Sequence, residues 1–121
     1  MIPDLTLEAL ANGFGHLGSA SAATGISAQF NNPIGITTDG TNLYVAEYMN
    51  HSIRKIVIST AVVTTIAGST RARSGTDDGT GPSTARSGGT GSWLNSPQGI
   101  TTDGTNLYVA DKANHRIRKI E

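Results

Sequence analysis

The chain has 121 residues, which is enough for one domain at most. Nine basic and nine acidic residues cancel to a net charge of zero, which argues against a general polyanion-binding protein. The absence of cysteine excludes disulfides and thiolate metal sites, and no apolar run approaches the roughly 20 residues that span a bilayer.

The N-terminal residues MIPDLTLEALANGFG lack the basic region and the continuous apolar region of a signal peptide. The sequence as written therefore predicts a cytoplasmic protein, or an extracytoplasmic one from which a leader has been removed. The segment Leu7–Asn12 has the same apolar spacing as Val63–Gly68, so we expect residues 1–12 to form a strand of the same kind.

A long internal repeat dominates the chain. Phe30 to Ile56 reads FNNPIGITTDGTNLYVAEYMNHSIRKI, and Leu94 to Ile120 reads LNSPQGITTDGTNLYVADKANHRIRKI. The offset is 64 residues without a gap, and 20 of 27 positions are identical. A repeat of this size indicates one supersecondary unit used more than once, in an array whose single copies cannot bury their apolar faces.

The first unit is predicted to contain four strands joined by tight turns. Pro33 can open a strand but cannot donate a hydrogen bond within one. The sequence Asp-Gly-Thr-Asn that follows the first strand is typical of a turn. The strands are expected at Ile34–Thr38, Leu43–Ala46, Ile53–Ile58 and Val62–Gly68.

The second unit repeats only the first three strands. These are expected at Gly99–Thr102, Leu107–Ala110 and Arg116–Ile120. The fourth strand that this unit lacks is the one predicted at the N-terminus. The chain thus contains the strands of two whole units, and its ends fall between the third and the fourth strand of the second one.

The connection Ser69–Trp93 is rich in glycine, serine and threonine, which predicts a solvated surface loop. Its Asp77-Asp78-Gly79 resembles part of a calcium turn, but the alternating acids and terminal glutamate of an EF-type loop are absent. Three arginines of the loop are expected to act as solvating charges: Arg71, Arg73 and Arg86.

Several polar residues of the units are expected to be structural. His51 and His115 occupy equivalent positions without a partner at metal-ligand spacing, so hydrogen bonding is the favoured role. Charge-assisted pairs within a unit are predicted between Glu47 and Arg54, and between Asp111 and either Arg116 or Arg118.

The motifs PxGIxxD, LYVAD and NHxIRKI, in this order, resemble NHL repeats; the second copy is nearer the family pattern, and the first has Glu47 and Ser52 where the second has Asp111 and Arg116. The resemblance covers Phe30–Ile66 and Leu94–Ile120. It implies an all-β chain of two β-propeller blades, each of four antiparallel strands, with the PxGI strand innermost around a central channel. The expected organisation is an outer strand at 1–12, a first repeat at 30–68, a loop at 69–93 and a second repeat at 94–121.

Two blades leave apolar faces and an unpaired edge exposed, and ring closure removes both. The resemblance implies a six-bladed ring, which three copies would supply. We therefore expect a homotrimer in which Asp4–Ala11 of each chain adds to the second unit of its neighbour. The alternatives are a fragment of a longer propeller and a ring of four copies.

The favoured function is a non-catalytic scaffold that binds a protein or peptide, without cofactor or metal. No Ser-His-Asp arrangement or carboxylate pair indicates an enzyme. Single-stranded RNA is a less favoured ligand, because it requires clustered charge and stacking aromatics. A metal-dependent lyase-like or small-ligand-binding propeller is the other alternative.

Ligand-binding residues are expected in two groups. One group lies at the channel mouth beside the first strands: Asn31, Asn32, Ile34, Asn95, Ser96 and Gln98. The other is a variable surface where the two copies differ in sequence: Tyr48, Met49, Lys112 and Ala113.

Overall fold

The computed structural model describes residues 10, 22–24, 28–69, 74–79, 81–83 and 91–121. The expected outer strand at 1–12 lies outside the described residues except for Leu10, which is 39% exposed. The three loop arginines also lie outside them.

The first unit forms an antiparallel sheet with strand order β1-β5-β4-β3-β2, and β6 pairs in parallel with β5. Its strands β2 to β5 confirm the four-stranded prediction, with each boundary within one residue of expectation. The additional strands β1 and β6 were not predicted, because runs of three and two residues show no periodicity. The bounds are β1 Ala22–Thr24, β2 Pro33–Thr38, β3 Asn42–Glu47, β4 Ser52–Val57, β5 Val62–Ser69 and β6 Pro82–Ser83.

The second unit forms a three-stranded antiparallel sheet of order β7-β8-β9, as predicted. Its strands are β7 Pro97–Thr102, β8 Leu107–Asp111 and β9 Arg116–Ile120. A short 3-10 helix at Lys112–Asn114 connects the last two. Among the described residues no strand pairs with the outer edge of β9, whereas its counterpart β4 pairs with β5.

The turn between the first two strands of each unit is organised by an aspartate. Asp39 Oδ1 accepts hydrogen bonds from the backbone N–H groups of Thr41 and Asn42, and Tyr44 OH donates to Asp39 Oδ2 at 2.9 Å. These bonds hold the pKa of Asp39 well below its usual range. The same bonds lower the pKa of Asp103 to about 2, so identical sequence yields an identical turn.

The two sheets pack on each other through apolar side chains. The first sheet contributes the buried residues Ala46, Ile53 and Ala67, and the second unit contributes Val109 on β8 and Leu94 ahead of β7. A separate cluster of Ala28, Val45, Ile56 and Val63 lies on the opposite face of the first sheet. The first sheet is therefore the better covered of the two, and the second has one face outward.

Candidate functional site

A buried carboxylate supports the end of the first sheet. Glu47 Oε1 accepts from the backbone N–H of Asn31 and from Asn50 Nδ2, both at 2.9 Å. Its Oε2 accepts from Ser52 Oγ at 2.8 Å and from Arg54 Nη1 at 3.3 Å. The side chains of Glu47 and Arg54 are both 0% exposed, which confirms the predicted pair. A carboxylate bonded this fully fixes the chain entering β2.

Asp111 has the same role in the second sheet. It accepts from the backbone N–H of Asn95 at 2.7 Å, and from Asn114 Nδ2 and Arg118 Nη1 at 2.8 Å. The predicted partner is thus Arg118, since Arg116 donates instead to the backbone oxygen of Thr76.

Arg118 also anchors the connecting loop. Its Nη2 donates to Asp77 O at 3.1 Å and to Asp78 Oδ1 at 2.7 Å. The side chain of Asp78 is 88% exposed. The Asp77-Asp78 segment is therefore solvated on one side, as predicted, and held against β9 on the other.

The two predicted ligand-binding groups meet at one end of the first sheet. The backbone N–H of Tyr48 donates to Asn32 O at 3.1 Å, and that of Met49 donates to Asn31 O at 3.3 Å. Residues that precede β2 are thereby joined to residues that follow β3. Asn32 adopts a φ of 55°, a left-handed conformation that asparagine tolerates well.

The second sheet repeats this arrangement and extends it. The backbone N–H of Ala113 donates to Asn95 O at 3.1 Å, and Ser96 has a φ of 54°. Lys112 Nζ lies 5.5 Å from the centroid of the Tyr48 ring, a cation–π contact between the sheets. We call this continuous surface the rim: Asn31, Asn32, Tyr48, Met49, Asn95, Ser96, Lys112 and Ala113.

The other two predicted site residues lie on the innermost strands. Ile34 on β2 is 45% exposed, and Gln98 on β7 is also exposed. The strands approach so closely that a Cβ at Gly35 would collide with the carbonyl oxygen of Gln98. Glycine is thus required at Gly35 by the neighbouring sheet.

His51 joins the two sheets beside the rim. The backbone N–H of Ser96 donates to His51 Nδ1 at 2.9 Å, so the imidazole is neutral and carries its proton on Nε2. Burial lowers the pKa of His51, and the charge of Asp111 opposes this effect. The structural role predicted for this histidine is confirmed, but its partner in the other unit was not predicted.

A groove of about 900 Å³ lies between β9 and the outer part of the first sheet. Its lining includes the apolar Ile66, Leu94, Ile117 and Ile120 beside the charged Arg116 and Lys119. This groove was not among the predicted sites, although the missing fourth strand of the second unit predicted an unpaired edge there.

Within the described residues, no three or more His, Cys, Asp or Glu side chains come together as a metal ion would require. In the same part of the chain, no helix has the length and apolar character needed to cross a membrane.

The NHL repeat family model matches residues 94–120, the whole of the second unit. The second unit is therefore an NHL repeat. Two curated relatives, both described as NHL repeat-containing protein 2, come from Bos taurus and Homo sapiens. Each is 36% identical over 101 residues, which is 80% of this chain and 13% of the relative. The chain therefore spans about an eighth of the length of these NHL proteins.

Solved structures share the arrangement of the sheets. An auxiliary nutrient binding protein from Bacteroides thetaiotaomicron has a TM-score of 0.65 and 26% identity, over 83% of this chain and 25% of that one. A protein of unknown function from the same organism has a TM-score of 0.69 and 25% identity, over 84% and 24%. Together with the NHL repeat match, these similarities indicate a propeller-like fold.

Proposed function

We propose that this chain is a non-catalytic binding and scaffolding module that takes up an extended peptide segment along β9. The observation that carries the proposal is the outer edge of β9 beside the groove, with which no strand pairs in the part of the chain that the structure describes. A free strand edge offers backbone donors and acceptors to an added strand, and adjacent pockets select its alternate side chains.

The first sheet illustrates what the groove would hold. There β5 lies along β4, and its Val63 side chain is 0% exposed. The equivalent position beside β9 is bordered by the apolar Ile66, Leu94 and Ile120. A segment with apolar residues at the spacing of β5 would fill it.

The segment we propose for this position is residues 1–12 of a second copy. Leu7 aligns with Val63, and Leu10 aligns with Ile66. Leu10 is 39% exposed within its own chain, so its apolar surface is available to a partner. Each chain would then supply the strand that its neighbour lacks.

Repeated around a ring, this exchange gives a homotrimer with six blades. Propellers typically close with about four to eight blades, and closure removes the exposed edges. The rim would then form one end of the ring and offer tyrosine, lysine and asparagine side chains to a protein or peptide ligand. The nutrient-binding description of one solved structure supports a binding role.

A peptide titration tests the proposal. The full chain carrying Leu7→Asp and Leu10→Asp should leave the edge of β9 vacant. A labelled peptide with the sequence MIPDLTLEALAN should bind this variant saturably, as measured by fluorescence anisotropy. The same peptide with proline in place of Ala9 should not bind, because proline removes a backbone donor. Equal binding of the two peptides, or binding of neither, would contradict the proposal.

A further inference from the structure

The two sheets of one chain pack through opposite faces. Ile53 and Ala46 of the first sheet face the second, whereas the second unit presents Val109 and Leu94 to the first sheet. The counterpart of Val109, 64 residues earlier, is Val45, which lies on the far face of the first sheet. The contact is therefore heterologous, because it joins one face of the first sheet to the opposite face of the second. On each sheet, the face equivalent to the one that the other sheet uses in this contact points away from the partner sheet.

The unused faces carry exposed isoleucines. Ile53 is 0% exposed, but its counterpart Ile117 on β9 is 75% exposed. On the opposite face, Ile100 is partly buried against the first sheet, whereas its counterpart Ile36 on β2 is 60% exposed. Ile53 and Ile100, which belong to one apolar cluster within the chain, thus have counterparts that are exposed at the two outward faces, although Val45 beside Ile36 is itself buried.

The backbone repeats this pattern at the innermost strands. Gly35 is closely approached by the carbonyl oxygen of Gln98. A Cβ at its counterpart Gly99 would meet only Ala110 Cβ, at 3.7 Å. The counterpart of Gln98 is Ile34, so a copy of the first sheet placed on Gly99 would bring the Ile34 carbonyl there.

A hydrogen bond between the two units also has unused counterparts at the outward faces. His51 Nδ1 accepts from the backbone N–H of Ser96. Their counterparts are His115, which is exposed, and Asn32. Asn32 and Ser96 share φ angles of 55° and 54°, and His51 and His115 share a φ of 55°. Donor and acceptor are therefore held in the same backbone geometry at the outward faces.

We infer that the outward face of the second sheet binds the outward face of the first sheet of another copy of this chain. Ile117 packs there against Ile36, the Ile34 carbonyl meets Gly99, and His115 accepts from Asn32 N–H. Lys112 then lies between the Tyr48 ring of its own chain and that of the neighbour. The occupant is a second copy because the interface continues one that the chain already makes with itself.

This inference rests on the self-association proposed above, but it concerns the faces of the sheets rather than the strand edge. It predicts that a methyl group at Gly99 is harmless in a single chain and harmful in the assembly. Gly99 has no positive φ, so alanine is allowed there. Ile117 is largely in solvent, so a polar substitution leaves the single chain folded.

Sedimentation velocity on the full chain at a series of concentrations tests it. Gly99→Ala and Ile117→Asp should each raise the dissociation constant of the assembly by at least about tenfold. Ile58→Asp is the matched control, because Ile58 is 41% exposed and lies beyond the end of β4. This variant should assemble like the original chain, and the circular dichroism spectra of all four proteins should agree.

The outcomes separate the two ideas. If the original chain assembles and both face variants assemble equally well, the faces are not the interface and the inference is wrong, while self-association stands. If the original chain stays single at every concentration, the proposed self-association fails and this inference fails with it.

Discussion

The first and second sheets share 20 of 27 aligned residues, yet they differ in how completely they are covered. Ile53 is fully buried and Ile117 is 75% exposed, although both follow the same Asn-His turn. The strand β4 is paired on both edges, whereas β9 is paired on one edge among the described residues. The difference shows that burial in a repeat is set by the neighbouring unit and not by the repeat itself.

Removing the two buried carboxylates is expected to have the largest effect on the free energy of unfolding. Glu47→Ala should lower the free energy of unfolding by about 3–5 kcal/mol, because it leaves the buried Arg54 charge without its carboxylate. Asp111→Ala should cost less, about 1–3 kcal/mol, because Arg118 keeps Asp78 as a partner and remains 10% exposed. Urea unfolding below the concentration of self-association measures both. Equal losses would contradict the difference in burial.

A second comparison uses the two isoleucines. Ile53→Ala should cost about 2–5 kcal/mol, since it opens a cavity between the sheets. Ile117→Ala should change the stability of the single chain by no more than about 0.5 kcal/mol. The measurement is urea unfolding of dilute protein by circular dichroism. A large loss for Ile117→Ala would mean that its face is covered within one chain.

Alanine in place of the glycine on the innermost strand should likewise destabilise the first sheet more than the second. Gly35→Ala should cost about 1–3 kcal/mol, because the added methyl group forces the Gln98 carbonyl and β7 away. Gly99→Ala is the control and should leave the stability of the single chain within about 0.5 kcal/mol of its original value. Thermal unfolding of the two variants at low concentration makes the comparison. A reversed order would contradict the packing of β7 over β2.

The smallest expected effect is a pH dependence at His51. Burial lowers its pKa in the folded chain, so below about pH 6.5 the unfolded chain takes up the proton first. The stability is therefore full above this pH and declines as the pH falls toward the lowered folded-state value. His51→Asn retains an acceptor oxygen for the Ser96 N–H and suits the left-handed φ of 55°.

The free energy of unfolding of this variant should fall less than that of the original chain when the pH is lowered from 7.5 to 5.5. His115→Asn is the matched control and should keep the sensitivity of the original chain, since His115 is exposed. Urea midpoints at the two pH values decide the matter. If His51→Asn is as sensitive as the original chain, the imidazole is not the responsible group.

Most of the sheet architecture could be predicted from the sequence because it depends on local patterns. Pro33, the Asp39 turn and the alternating strands fix β2 to β5 without reference to distant residues. The partners of Glu47 and Asp111 could also be predicted, because they lie on adjacent strands of one unit. The short strands β1 and β6 could not, since their pairing with β5 depends on contacts far apart in sequence.

The candidate site was predicted as two separate groups because one was located by its position beside the first strands and the other by the sequence differences between the two copies. Backbone hydrogen bonds between Asn31 and Met49 join them, and no side-chain pattern indicates such bonds. The contact of His51 with Ser96 was missed for a similar reason. Its acceptor is visible in the sequence, but its donor is a backbone N–H 45 residues away in the other unit.

The central claim is that the open edge and outward face of the second sheet are completed by another copy of the chain. Sedimentation equilibrium of the purified chain at micromolar concentration tests it most directly. We expect one species with three times the mass of a single chain, and we expect the Leu7→Asp, Leu10→Asp variant not to form it. A ring of four copies would keep the interface but replace six blades by eight. A stable single chain over the whole concentration range would contradict the account.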